Sequence, residues 1–219
     1  MSLSDPAPAR VGITIAAKTA SIVLFIASPN HIVAQRLSVK DAKIEGVRPE
    51  DDLIIRCESA EIQERSLIHS INSAAFGRPD EADLVNGLRA GGFVVVSLVA
   101  ESEGRIVGHI LFSRMSIATA DGSIPAAALA PVSVLPEFQR RGIGGRLIGR
   151  GLEVMRERGE RIVIVLGDPA YYRRFGFSSE NTRFLKSPFP PDALMALEVS
   201  PRALEGIRGE VRYPAAFGL

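Results

Sequence analysis

The sequence is poor in the residue types on which disulfides and metal sites depend. Its 219 residues include one cysteine, three histidines and no tryptophan. The single cysteine, Cys57, excludes an internal disulfide framework, and so few thiol and imidazole ligands argue against a zinc or other metal site. Cys57 lies in the apolar run 53–57, and we expect a small buried side chain on a strand rather than a nucleophile.

A net charge and a long apolar run are also lacking. Lys and Arg number 26 against 25 Asp and Glu, so no global field would recruit nucleic acid or an anionic membrane, and we expect neither as a partner. Segment 19–27 is apolar, but it is shorter than the roughly 20 residues that span a bilayer, and it lacks the basic start of a signal peptide. We therefore expect a cytoplasmic protein.

What is present fits a globular chain with one main domain. Hydrophobic residues make up 46% and charged residues 23%, within the ordinary globular range. Residues 1–50 show no pattern that would pack as a layer, and we leave them as an unassigned N-terminal extension. From Leu53 onward, apolar segments alternate regularly with turn and capping residues, so residues 53–219 are predicted to form the folded domain.

Hydrophobic periodicity and turn residues predict a mixed α/β sheet wrapped by helices. Strands 93–100 and 105–112 are expected to form a hairpin, and a helix over 144–158 is expected to bury one apolar face. The predicted order is β-α-α-β-β-β-α-β-α-β, with elements near 53–57, 61–76, 93–100, 105–112, 126–134, 144–158, 161–166, 169–175 and 194–199. The second helix in this order is short: Asp80 and Asp83 can cap it, and Gly91 and Gly92 end it.

The most informative segment is the glycine-rich loop in 132–145, where a predicted strand turns directly into a helix. Free backbone N–H groups and the positive end of the helix dipole would point at one place, which suits a pyrophosphate. Glycines allow close backbone approach, and Arg140, Arg141 and Arg146 add positive charge. A Walker A loop would need Gly-Lys-Ser/Thr, and a Rossmann fingerprint would need a small residue where Leu147 stands. A loop-to-helix junction without a ligand is the remaining alternative.

Two segments in the right order resemble the GNAT superfamily of N-acetyltransferases. Segment 129–146 is similar to motif A, whose core is Gln/Arg-x-x-Gly-x-Gly/Ala, with Gln139, Gly142 and Gly144 on those positions. Segment 166–177 is similar to the family's tyrosine-bearing helix and the aromatic-Gly-Phe turn that follows it. The resemblance extends over about 53–217.

This resemblance implies acetyl-CoA as cosubstrate, no metal, and direct transfer of an acetyl group to an amine. The implied fold is an α/β (α+β) mixed, mostly antiparallel sheet that splays at the cofactor-binding strand. A non-catalytic acyl-CoA-binding module of the same fold is the alternative. The implied cofactor-binding residues are Val132, Ser133, Val134, Gln139, Arg140, Arg141, Gly142, Ile143, Gly144, Gly145 and Arg146.

By the same resemblance Tyr172 is the candidate general acid for the leaving thiolate, with Tyr171 as the alternative. Glu101 is the candidate base, acting through water, although a solvated turn residue is the simpler interpretation. His109 lies in an apolar strand and is expected to be a hydrogen-bonded structural histidine. Asp168 stands where many family members have Asn.

The acceptor is not specified by the sequence. The family accepts small-molecule and peptide amines through variable loops, so only that class of partner is implied. The sequence also leaves the oligomeric state open, a homodimer included.

Overall fold

The computed structural model describes residues 53–219, so the predicted N-terminal extension and its segment 19–27 lie outside the described residues. Within 53–219, no helix is long and apolar enough to cross a bilayer. The described elements are β1 (Ile54–Cys57), α1 (Ile62–Phe76), α2 (Asp80–Ala90), β2 (Val94–Ser102), β3 (Arg105–Thr119), β4 (Gly122–Val134), α3 (Ile143–Glu157), β5 (Ile162–Leu166), α4 (Pro169–Tyr172), β6 (Leu185–Lys186), β7 (Leu194–Glu198) and β8 (Gly209–Arg212).

The predicted order of elements is confirmed for this part of the chain. Strand β3 is longer than predicted because Asp121 and Gly122 close a long hairpin, in which Thr119 pairs with Gly122. Strands β6 and β8 were not predicted, since two- and four-residue strands carry too little alternation to recognise. Asp80 does not cap α2. The N-cap is Pro79, and Asp80 and Asp83 occupy the first turn.

The sheet has the strand order β1-β2-β3-β4-β5-β7, with β8 paired to both β3 and β6. Its pairs are antiparallel except β4 with β5 and β6 with β8. The predicted mixed, mostly antiparallel α/β sheet is therefore confirmed. One parallel pair in the middle of the sheet places the end of β4 beside the start of the connection after β5.

Helices cover the two faces of this sheet. Helix α3 packs on one face, and its predicted apolar face of Leu147, Ile148, Gly151, Leu152 and Met155 is buried. Gly151 lies directly against the Phe112 ring, where a side chain would not fit. Helices α1 and α2 pack on the opposite face through a separate cluster that includes Ile68, Val85 and Leu88. The two faces thus have separate hydrophobic cores.

The prediction that Cys57 is buried is wrong. Cys57 lies on strand β1 as predicted, but its side chain is exposed. Strand β1 is an edge strand that is bonded only to β2, and both of its end residues face solvent. Apolar runs on edge strands are less buried than the same runs inside a sheet, which is why the run 53–57 misled the prediction.

Candidate active site

The sheet opens between β4 and β5. Their pairing covers only Ala127–Leu129 against 163–165, although β4 continues to Val134. Pro131 lies just beyond the last paired residue and has no N–H to donate to a neighbouring strand. Pro131 also belongs to a β-bulge, in which two residues of β4 face one residue of β3. Such a bulge bends the strand. The end of β4 therefore has one backbone edge that β5 does not cover.

Helix α3 begins beside this opening. Gly142 precedes it with φ +80°, a left-handed conformation that favours glycine, and the Arg146 N–H bonds back to the Gly142 carbonyl. The N–H groups of Ile143, Gly144 and Gly145 have no acceptor within the helix, as in any first helical turn. A Cβ at Gly144 would lie 3.8 Å from methyl groups of both Val132 and Val134. The helix start and the strand end thus form one cradle.

The two sequence motifs contact each other at this cradle. The Tyr171 hydroxyl lies 3.1 Å from where a Cβ of Gly144 would be. The Phe175 ring lies 3.5 Å, and an Arg174 guanidinium nitrogen 4.0 Å, from the corresponding position at Gly145. A Cβ at 144 would therefore crowd the Tyr171 hydroxyl, whereas a Cβ at 145 would be in ordinary van der Waals contact with the second motif.

The two adjacent tyrosines have different environments. Tyr172 is 2% exposed, and its ring packs on Gly167, on Phe177 and, edge to face, on Tyr171. Burial strongly raises the pKa of Tyr172, so its phenol keeps its proton at neutral pH. Tyr171 is half-buried. Its pKa is raised by burial, an effect that the hydrogen bond from Arg174 and the charge of that residue oppose.

Asp168 holds the start of the tyrosine helix. Its carboxylate accepts a hydrogen bond of 2.8 Å from the Ala170 N–H and so caps α4. An Asn would cap in the same way, so the departure from the family's usual residue keeps this local structure.

The predicted polar residues of the loop lie at different places around the cradle. Gln139 donates from Nε2 to the Val134 carbonyl (3.0 Å), which closes the turn after β4. Arg141 donates to the Glu137 carbonyl (2.8 Å) and lies over Phe138. Arg146 reaches the Leu53 carbonyl at 3.1 Å. Arg140 is exposed with φ +63°. The Ser133 side chain is buried and donates to the His109 carbonyl (3.4 Å).

Glu101 lies in a cleft on the α1 side of the sheet. This cleft of about 560 Å³ is bounded by α1, by the β2–β3 hairpin and by Leu135, which follows β4 directly. Glu101 belongs to strand β2, and its carboxylate accepts from Arg56 Nε at 3.1 Å. Arg56 also binds Glu64, at 2.8 Å. The simpler interpretation of Glu101 as a solvated turn residue is therefore wrong, because Glu101 lies on a strand and is ion-paired.

Next to this cleft runs a hydrogen-bonded chain through His109, which is fully buried. Asn72 donates to His109 Nδ1 (3.2 Å), so Nε2 carries the proton and donates to Ser97 Oγ (3.0 Å). Ser97 in turn donates to Glu58, which pairs with Arg89 at 2.8 Å. Burial, with a smaller contribution from Arg89, lowers the pKa of His109 to about 3. The prediction of a structural histidine is confirmed.

Sequence reasoning missed the contacts that join side chains of different elements. Arg56 and Glu64 come from different elements, and Arg174 is 29 positions from Gly145. The position of Arg174, two residues after the candidate acid Tyr172, was a signal in the sequence that this arginine lies near the site. Nothing in the sequence pairs Arg56 with Glu64 and Glu101. Within 53–219, no cluster of three or more His, Cys, Asp or Glu side chains could hold a metal ion.

Comparisons with known proteins agree with this geometry. A family model described as an acetyltransferase (GNAT) domain matches residues 57–179. The uncharacterized N-acetyltransferase YhbS of Escherichia coli (strain K12) is 32% identical over 153 residues, which is 68% of this chain and 90% of YhbS. The uncharacterized N-acetyltransferase YjhQ of the same strain is 44% identical over 112 residues. That alignment covers 50% of this chain and 62% of YjhQ.

Solved structures are similar over most of the described chain. The crystal structure of Escherichia coli YhbS in complex with CoA superposes with a TM-score of 0.71 and 29% identity, over 80% of this chain and 97% of that one. A GNAT family acetyltransferase from Brucella melitensis, in complex with acetyl-CoA, gives a TM-score of 0.63 and 36% identity, over 75% of this chain and 97% of that one. The family model, these relatives and the splayed sheet agree, and the chain belongs to the GNAT acetyltransferase family.

Proposed function

We propose that this enzyme transfers an acetyl group from acetyl-CoA directly to an amine. The observation that carries the proposal is the cradle of free N–H groups at the start of α3, beside the uncovered end of β4. The crystallised complexes of the two relatives with CoA and acetyl-CoA support the same cosubstrate.

The residues present fit that cosubstrate. The N–H groups of 143–145 would hold the diphosphate, and the arginines Arg140, Arg141 and Arg146 would add charge around it. The uncovered backbone of Val132, Ser133 and Val134 would bind the pantetheine arm as an added strand does, and the Val134 N–H is our candidate to polarise the thioester carbonyl. Bound acetyl-CoA supplies the activated acyl group.

The amine would approach through the cleft beside α1. Its wall is largely apolar, from Leu67, Ile71, Ile106 and Leu135, and Glu101 is a carboxylate on that wall. We propose that Glu101 accepts the amine proton through water, because β2 is separated from β4 by β3 and a direct contact would need too long a reach. Arg56 fixes the orientation of this carboxylate.

The departing thiolate needs a proton, and we propose Tyr172 as its donor. The raised pKa of this buried phenol keeps it protonated, and its helix lies directly after β5 on the side where the sheet opens. The amine nitrogen would bond to the acyl carbon as the carbon–sulfur bond breaks. The amine would lose one proton toward Glu101, and the sulfur would gain one from Tyr172.

A steady-state assay of free CoA thiol tests this function. Purified protein with acetyl-CoA is screened against amines, amino acids and peptides, and the acetylated product is identified by mass spectrometry. We expect thiol release that depends on the amine, with one acetyl group added per CoA formed. Binding of acetyl-CoA by calorimetry without turnover on any amine would instead favour the non-catalytic acyl-CoA-binding module.

We further propose that residues 53–219 form the catalytic domain of a cytoplasmic enzyme. A variant that lacks residues 1–52 should keep both CoA binding and thiol release. Loss of either activity in a folded truncated protein would contradict this assignment of the domain.

A further inference from the structure

Arg174 lies beside the phosphate cradle although it belongs to neither the glycine-rich loop nor helix α3. Its guanidinium nitrogen is 4.0 Å from the Cβ position of Gly145, in the first turn of α3. Three N–H groups in that turn are free of helical acceptors. A cation at this distance adds to the positive potential that the helix start already provides.

The Arg174 side chain is held in place by aromatic rings. Its guanidinium carbon lies 4.0 Å from the Tyr171 ring centroid and 4.9 Å from that of Phe175. Stacked arginine loses less side-chain entropy when it binds an anion, because its guanidinium is already oriented.

No carboxylate neutralises this cation. Arg174 forms no ion pair with an acidic side chain among residues 53–219, whereas Arg105 and Arg150 do. Of the arginines predicted from the loop, Arg141 is turned toward the Glu137 carbonyl and Phe138, and Arg146 toward the Leu53 carbonyl. Arg174 is therefore an oriented cation without a carboxylate partner, and it lies next to the free amides.

From these contacts we infer that Arg174, supported by the Tyr171 ring, is a ligand of the cosubstrate's diphosphate. The inference rests on the proposed function, because it assumes that CoA binds at the start of α3. It adds a binding residue from the second motif, segment 166–177, in which the sequence had predicted only a general acid. It also explains why both motifs meet at Gly144 and Gly145. The phosphate site and the tyrosine helix form one unit.

Calorimetric binding of CoA to the full-length protein and to matched variants tests the inference. Arg174→Ala should weaken CoA binding by about 10- to 100-fold, as expected for loss of a hydrogen bond to a charged group. Arg173→Ala is the matched control, since Arg173 is adjacent and exposed, and a change of less than about 2-fold is expected. Arg174→Lys keeps the charge but not the planar stack, and we expect an intermediate loss.

Truncated ligands identify which phosphate is bound. Dephospho-CoA lacks the 3′-phosphate but keeps the diphosphate, so Arg174→Ala should weaken it as much as it weakens CoA. Pantetheine lacks phosphates, so its inhibition constant should be the same for the variant and the wild type. A loss seen with CoA but not with dephospho-CoA would place Arg174 at the 3′-phosphate and overturn the assignment.

Other outcomes overturn the inference in distinguishable ways. An equal loss for pantetheine would mean that Arg174 acts only by packing on Tyr171. Unchanged CoA binding in Arg174→Ala would remove Arg174 from the site while the proposed function stands. Wild-type protein that binds no CoA would overturn the proposed function and this inference together. Thermal unfolding of each variant checks that the fold is kept.

Discussion

The two faces of the sheet use different chemistry around the same strand. On the α3 face, the end of β4 meets backbone amides, glycines and aromatic rings. On the α1 face, the cleft and the buried chain through His109 depend on charged and polar side chains that bind one another. The first arrangement suits a ligand with phosphates, and the second suits a ligand that is recognised by side chains.

The difference also concerns how each face tolerates substitution. A backbone cradle is disturbed by adding atoms, whereas a side-chain network is disturbed by removing one partner. Substitutions that act on one face and leave the other unchanged therefore test this contrast.

Loss of the Tyr172 hydroxyl should have the largest effect. Tyr172→Phe should lower kcat by about 1000-fold, within the usual range for a general acid, with little change in the affinity for CoA. Tyr213→Phe is the control, because Tyr213 is a partly buried tyrosine that packs on Phe189 and Phe217 in a different cluster. Stopped-flow and steady-state assays measure both. Full activity in Tyr172→Phe, with loss in Tyr171→Phe, would transfer the acid role to Tyr171.

Removal of the Glu101 charge should lower the rate of catalysis through the α1 face of the sheet. Glu101→Gln should lower kcat by about 100-fold, because water-mediated proton acceptance is lost while Arg56 keeps its bond to Glu64. CoA affinity should not change. Glu103→Gln, two residues away in the exposed turn, is expected to change kcat by less than about 2-fold. Equal rates for the two variants would show that Glu101 is not the base.

Added volume at Gly144 should affect only the cradle. A Cβ there approaches the Tyr171 hydroxyl at 3.1 Å, so Gly144→Ala should displace that ring and raise the Kd for CoA by about 10-fold. Gly149 in the same helix has open space around its Cβ position, so Gly149→Ala should leave the Kd unchanged. It should stabilise the fold by about 0.5–1 kcal/mol, since alanine is the better helix former. Calorimetry and urea unfolding measure these effects, and equal Kd values would contradict the packing at Gly144.

The buried histidine should make stability depend on pH. The pKa of His109 is about 3 when folded and about 6.5 when unfolded, so the unfolded state binds the extra proton between these values. Stability is then full above pH 6.5 and falls as the pH drops toward 3, by up to about 1.4 kcal/mol per pH unit. His109→Gln should lose this part of the slope. Urea unfolding from pH 7 to 4.5 measures it, with His69→Gln, a partly exposed histidine, as the control that keeps the slope.

The sequence predicted the α3 face well and the α1 face poorly. The loop at Gly142–Gly145 is local: its glycines, the strand before it and the helix after it are contiguous. The pattern therefore predicted the strand-to-helix junction, and the resemblance to the GNAT family implied a cofactor site there. Glu101 was predicted as the candidate base, and a solvated turn residue was the simpler interpretation because its neighbour Glu103 is in the turn. Its partner Arg56 is 45 positions away, and no local pattern links the two.

The sequence also did not predict which residues are exposed at the edge of the sheet. Cys57 follows an apolar run typical of a covered strand, and only the strand order shows that β1 is an edge. The alternation along a strand indicates which residues share a face, but it does not indicate which strand has a neighbour on both sides.

By itself, the sequence determined the family, the order of the elements and the position of the cradle, because each of these depends on residues that are close along the chain. Only the tertiary structure decided which side chains meet. It brought Tyr171 and Arg174 onto Gly144 and Gly145, and it joined Arg56 to Glu64 and Glu101. The physical reason is that backbone amides at a helix start are fixed by local geometry, whereas ion pairs and ring contacts form between segments that only packing brings together.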